Sequence, residues 1–590
     1  MLFHLISKNT KKYAKPLLRN YCKLFSNKKV SINNKEFFYN KNANAYLPFK
    51  KNGTQIREQI KNYNRISKEI FLEIGHKTYN GKHPKIKDLY PSACSWVPYY
   101  ENQSNLVFTN FLSTHYGLNN PQIILLRYEV QSHDTNEIIE KFKTVIVLPE
   151  QTIWFNEKFL DQNSNRESSK GQLFLYTFDP LFRPGQKQVR YHVVYENKSY
   201  PTSGVHSWVA YKDELVISHA KFLNRRFLPF SEKKNEYFMV PPFGKIVACE
   251  EENKLEDKKT QNHDIIKVPA ELKPKECTQR GGYFLNLDKE NYINRVWHDN
   301  GSGNGFYAEK KLLLNKSVKE TDFCFPLQGY YFNLVVPNPV GNNLLLEKNI
   351  KISAQSINQN KVLLEEKIEN CELIKPTKKF YAFEIKLKKF FEKLNNVLSE
   401  DEKAKNEFIK INFKFDTNNS NKEAFKDEIV TYIYMYDDND NICDQLHNEF
   451  TSGSIFGGKK FQSYRTNKFA PFKIKKNCNS FVVLKNKFEV DDVEKKVRYH
   501  KLRVTINYTE NNTSIQNHYN KTEYVNFDVT QKCHLINIKD LFFKDDKSNS
   551  EIVGGIHIFS STLNSWCYWM IKSENESGRK FLACDHLTGG

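Results

Sequence analysis

The sequence predicts a mostly β protein: three repeated antiparallel β-sandwich-like modules of about 100 residues, a helical N-terminal arm and an inserted region. Two observations predict it. First, three stretches open on an apolar run ending in Asn, namely Leu106 to Asn110, Leu334 to Asn338 and Val482 to Asn486, and each closes on a histidine in a small polar cluster. Those histidines are His206, His447 and His586, and the Asn-to-His separations are 96, 109 and 100 residues, similar enough for one unit used three times. Second, short apolar or alternating segments lie between each Asn and its histidine, separated by Asn, Gly, Pro and Asp, as half-buried strands joined by turns require.

Residues 1–94 read as a basic arm with one amphipathic helix over 54–75, where Ile56, Ile60, Tyr63, Ile66, Ile70 and Ile74 recur at helical steps between a Thr54 cap and Gly75. The first module spans 95–211, with strands expected at 106–111, 123–130, 144–148, 172–178 and 189–195. Residues 212–327 form an intermediate region in which the charge-dense 250–261 reads as a loop or linker. The second module spans 328–455, with strands at 331–336, 349–354, 380–387, 408–415 and 429–436. It carries an insertion in which Phe390, Leu394, Val397 and Leu398 stand at helical spacing, followed by a solvated helix end over 399–405. The third module spans 456–590, with strands at 481–484, 502–508, 524–529, 552–559 and 566–571.

Composition narrows the function classes. Apolar residues make up 39% and aromatic residues 14% of the 590 positions, enough for packed cores and too much for global disorder. The net charge is +21, of which nine lie in the first 35 residues, where eight Lys and Arg19 meet no acid. That start reads either as a Lys-rich solvated arm or as a mitochondrial presequence, and no secretory h-region precedes it. No run reaches the roughly 18 apolar residues of a membrane span. The chain is therefore expected inside the cell, in the cytoplasm or the mitochondrion. A basic balance attracts anions in general, and with no RNA-recognition signature or paired zinc-finger spacing it does not single out nucleic acid. The 11 cysteines, several of them inside apolar strands, suit buried reduced thiols more than a disulfide framework.

No catalytic signature stands out, so the candidate sites rest on residue chemistry. If the modules converge, His206, His447 and His586 supply three imidazoles, a sufficient protein ligand set for zinc, with Asp444 and Asp585 as carboxylate partners. Asp437-Asp438-Asn439-Asp440-Asn441 gathers the oxygen ligands that calcium prefers. The glycine-dense segment 299–305 follows Trp297 and His298, so Trp297, His298, Asp299 and Asn300 are candidates to line a polar-ligand or sugar site, against the simpler reading of a hairpin connection. No cofactor is required by any of these patterns. The function expected is a non-catalytic, multi-domain binding or scaffold protein presenting loops to a protein or polyanionic glycan partner. The alternatives are a carbohydrate-active or metal-dependent hydrolytic enzyme and an accessory subunit of a large organellar assembly.

Overall fold

The computed structural model describes residues 29–32, 35–40, 45–49, 92–96, 102–109, 122–132, 138–147, 151–155, 169–178, 191–206, 208–209, 225–229, 236–239, 246–249, 265–268, 282–287, 297–299, 305–307, 312–314, 320–338, 350–357, 361–368, 372–374, 381–415, 429–446, 466–486, 499–510, 519–528, 531, 533–544, 550–560 and 565–587. They are mostly strand, and every ladder among them is antiparallel. The helix expected over 54–75 and the linker expected over 250–261 lie outside the described residues. Within the arm the described elements are strands: Lys29–Ile32, Lys35–Asn40 and Ala45–Phe49 form a three-stranded meander.

Eight strands make up a first group: β1 (Ser92–Trp96), β2 (Asn102–Thr109), β3 (Gln122–Ser132), β4 (Ile138–Val147), β5 (Thr152–Phe155), β6 (Ser169–Phe178), β7 (His192–Asn197) and β8 (Tyr200–His206). They pair as β1-β6-β3-β4 and β5-β2-β7-β8, with Trp208–Val209 added beside β1. A second group follows: β9 (Glu320–Pro326), β10 (Tyr330–Asn338), β11 (Ile350–Ser356), β12 (Val362–Ile368), β13 (Tyr381–Lys386), β14 (Phe408–Phe415), β15 (Ile429–Asp437) and β16 (Ile442–Gln445). Its sheets run β9-β14-β11-β12 and β13-β10-β15-β16, the second extended by Glu372–Ile374 beside β13 and by Leu312–Leu314 beside β15. A third group holds β17 (Thr466–Ile474), β18 (Cys478–Asn486), β19 (Tyr499–Glu510), β20 (Tyr519–Asp528), β21 (Cys533–Asn537), β22 (Ile552–Ser560), β23 (Ser565–Glu574) and β24 (Lys580–His586), paired β17-β22-β19-β20 and β21-β18-β23-β24. With the short flanking strands Trp208–Val209, Leu312–Leu314 and Glu372–Ile374 set aside, the eight strands of each group pair in the same order.

Register follows suit where both sides are described. His206 lies opposite His192, which lies opposite Val107, three residues before Asn110. His586 lies opposite Tyr568, which lies opposite Val483, three residues before Asn486. The sequence reading of five strands per unit needs correcting to eight. It omitted the opening strand of each group, the strands β5, β12 and β21, and the closing strands β8, β16 and β24.

Between the first two groups, the described strands within 225–307 form two small sheets, one of them with Trp297–Asp299 paired to Gly305–Tyr307. Between β13 and β14 the insertion is helical: α1 (Lys388–Val397) buries Phe390, Phe391 and Leu394. Its Phe391 ring packs on Phe325 and Phe332 at 5.4 and 5.2 Å, while Val397 turns to solvent. Next, α2 (Glu400–Lys405) is a surface helix opened by a capping box between Ser399 and Glu402, which satisfies two of the N–H groups at its start.

The sheet β21-β18-β23-β24 is buried on both faces. Val482, Leu484, Trp569 and Ile571 pack into the third group's own core, which also takes Val107 and Val194 from the first group. The alternate residues Phe481, Val483, Tyr568, Met570, Leu582 and Cys584 join the second group's core. At roughly 1.5–3 kcal/mol for each large apolar side chain removed from water, this one sheet couples the three groups strongly.

Candidate functional site: the junction of the closing strands

β8, β16 and β24, the closing strands of the three groups, lie against one another, and the strand Gly305–Tyr307 lies against β8 and β16. Here the structure brings together His206, Asp585 and His586. The Asp585 carboxylate accepts from the His206 backbone N–H at 2.5 Å and faces its ring Nδ1 at 2.9 Å through Oδ2. Through Oδ1 it accepts from the His586 backbone N–H at 2.8 Å and faces that ring's Nδ1 at 3.4 Å. The two imidazoles meet edge to face with centroids 3.8 Å apart. Exposure is 0% for His206, 1% for Asp585 and 6% for His586, so the trio is sealed.

Burial of the Asp585 carboxyl opposes its ionisation, but His206 and then His586 override that cost and hold it well below the usual carboxylate range. Asp585 is thus an anion fixed between two strands that stand 379 residues apart in sequence. A buried carboxylate left without these donors would cost several kcal/mol, so the geometry is over-determined by both strands.

Asp444 acts in a similar way on the neighbouring strand. It accepts from Ser203 Oγ of β8 at 2.9 Å and from the Cys584 backbone N–H of β24 at 3.1 Å. It therefore joins β16 to both other closing strands and is not one of the three clustered donors. His447 lies outside the described residues.

Several residues of the junction carried no sequence signal. His192 sits 6.5 Å from His206 and 6.1 Å from Trp569, ring centroid to ring centroid. Gly204 leaves room for Trp569, whose ring carbons lie 2.0 and 2.5 Å from where a Cβ would stand. A second polar tie lies nearby, where the buried Lys473 ammonium of β17 meets Glu196 of β7 at 2.8 Å and Glu551 at 3.0 Å. Only the ladder register reveals His192 and Gly204, because it sets which residue faces which neighbour.

The other candidates resolve differently. Trp297, His298 and Asp299 form a strand paired to Gly305–Tyr307, and Asn300 with the rest of 300–304 lies outside the described residues. The oxygen-rich 437–441 is the turn between β15 and β16. Asp437 accepts from the backbone N–H groups of Asn439 and Asn441. Asp438 pairs with Lys580, and Asp440 with Lys388. Its carboxylates are thus engaged by N–H and ammonium donors. Six cysteines whose side chains are described, at 324, 443, 478, 533, 567 and 584, are buried and form no disulfide with one another.

A different kind of surface lies on the third group. On β19 and β20 the ladder sets Lys501 opposite Asn526 and Arg503 opposite Tyr524. The Lys501 ammonium stands 4.3 Å over the Tyr524 ring and the Arg503 guanidinium 5.2 Å over Phe559. Tyr499, Tyr519 and Tyr524 are all exposed. Among the described residues, no helix is long and apolar enough to cross a membrane. No family model matches the chain, and no curated protein matches it.

Proposed function

We propose that this chain is a non-catalytic binding protein: one eight-stranded β-sandwich module used three times and locked into a rigid platform for a polyanionic partner, a sulfated or uronic-acid glycan in the first instance. The observation that carries the reading is the burial of its most reactive-looking side chains. Asp585, Asp444, His206 and His586 spend their donors and acceptors on joining the three closing strands. A general acid or base must come within hydrogen-bond reach of a substrate, and groups this enclosed serve cohesion instead. The shared strand order of the three groups supports a common module, with boundaries near 92–209, 320–446 and 466–587.

The binding face is the outer side of β19 and β20. Lys501 stacked on the exposed Tyr524 and Arg503 on Phe559 present charge and a flat apolar platform together, the pairing that sugar rings bearing anionic groups require. The chain's net charge of +21 adds long-range attraction for such a partner. The test is calorimetric titration of the full chain with a size-defined heparin oligosaccharide at two salt concentrations. Salt-sensitive binding weakened at least about tenfold in Lys501→Glu/Arg503→Glu is expected, that being 1.4 kcal/mol. Absence of binding at low salt, or binding indifferent to the double substitution, refutes the assignment.

A further inference from the structure

From the junction geometry we infer that His206, Asp585 and His586 form a binding site for a divalent transition cation of the zinc class, which rivets β8 to β24. One ligand atom from each of the three lies within 4.8 Å of the others. Two ligands on one ion, with bonds near 2.1 Å at the tetrahedral angle, stand about 3.4 Å apart. His206 Nδ1 stands 2.9 Å from Asp585 Oδ2, and His586 Nδ1 3.4 Å from Asp585 Oδ1. The three ligand atoms taken as one set lie within 4.8 Å of one another, so loading draws the widest pair together by up to about 1.4 Å, and the ion takes the place of a proton held between ring and carboxylate.

The donor chemistry selects the metal class. Two imidazoles and one carboxylate suit zinc, cobalt or nickel, whereas calcium takes 6–8 oxygens at about 2.3–2.6 Å. The backbone N–H groups of His206 and His586 each hold one carboxylate oxygen, the outer-shell support that keeps a ligating carboxylate oriented. A second observation points the same way. Trp569 lies directly opposite Asp585 in the ladder, on the same face of the sheet, and its fully buried Nε1–H has no hydrogen-bond partner. Buried polar hydrogens left over in a packed interior mark places where a water or ion belongs, and an ion with a water in its fourth position supplies that acceptor.

Metal at this junction does not depend on glycan binding, since Lys501 and Arg503 belong to the outer face of β19. The test uses the full chain purified without chelator. Elemental analysis is expected to give about one zinc per chain. After stripping, titration with Co²⁺ should produce the visible absorption of a tetrahedral site. His206→Ala and His586→Ala should each weaken Co²⁺ binding at least about tenfold. Asp444→Asn, which loosens the same junction without removing a ligand, should keep the metal and so separates ligation from folding damage. A folded wild-type chain with no stoichiometric zinc and no Co²⁺ signal overturns the inference without needing any variant. Cobalt uptake indifferent to both histidine substitutions overturns it equally, as binding elsewhere.

Discussion

Gly204→Ala tests the junction with a single methyl group. Gly204 sits in β8 at ordinary backbone angles, so alanine brings no strain of its own and would by itself stabilise by about 0.4–1 kcal/mol through the unfolded chain. The added Cβ, however, would stand 2.0 Å from Trp569 Cη2 and 2.5 Å from Cζ2. Carbon atoms pack at about 3.5–4.0 Å, so roughly 1.5 Å of overlap must be relieved. The Trp569 ring is 1% exposed and sets its edge against His192, which leaves β8 itself to move away from β23. Overpacking of this kind costs typically 1–3 kcal/mol or more, and the net expected loss is about 2 kcal/mol. Urea unfolding followed by tryptophan fluorescence and by far-UV circular dichroism measures it. Separation of the two transitions would show the first group coming away from the third before either unfolds. Trp569→Phe removes the colliding carbons, so its cost should be at least about 1 kcal/mol smaller in the Gly204→Ala background than in the wild type. Stability within about 0.5 kcal/mol of wild type for Gly204→Ala, with additive behaviour in the double variant, would refute the packing described for β8 on β23.

Three further outcomes are expected. Lys473→Met should destabilise by about 3–5 kcal/mol because it strands the buried Glu196 carboxylate, and adding Glu196→Gln should recover a good share of that loss in the same unfolding assay. Acidification should weaken the fold in two stages, measured as the urea midpoint against pH. Burial holds the folded pKa of His534 below its ordinary value, so its contribution is present above about 6.5 and is lost as pH falls through the folded value. Asp585, also depressed, contributes fully above about 3.9 and loses its contribution only as pH falls further, so a midpoint flat from pH 7 down to 3 would contradict both. Burial pushes the Cys478 thiol up to about 12 and Cys567 up to about 11. Neither should react with an aromatic disulfide reagent at pH 8 until denaturant is added, as peptide mapping of the labelled chain would reveal.

Legibility in the sequence tracks how each strand is buried. β19 reads Tyr499-His500-Lys501-Leu502-Arg503-Val504 with one buried face, and its alternation gave it away. Closing strand β8, Tyr200-Pro201-Thr202-Ser203-Gly204-Val205-His206, has no alternation because neither face meets water, and its polar atoms are matched to other strands. Such a strand looks like a loop until its partners are known. The recurring Asn-to-His frame singled out His206 and His586, which stand at corresponding ladder positions opposite His192 and Tyr568. Asp585 as the shared anion, His192 as the facing ring and Gly204 as the gap for Trp569 depend on how one unit packs on another. Repeat spacing holds no information about that packing.

The clasp between β8 and β24 also sets a timetable. The donors on His206 leave the ribosome 379 residues before their acceptor on Asp585, roughly 20–75 s at ordinary rates of synthesis. Throughout that interval the sheet β5-β2-β7-β8 has its outer face, including Val107, Val194 and His192, waiting for a third group not yet made. The nascent chain carries a sticky, half-finished surface for tens of seconds, and production of this protein should depend on chaperones that shield it until the last strand arrives.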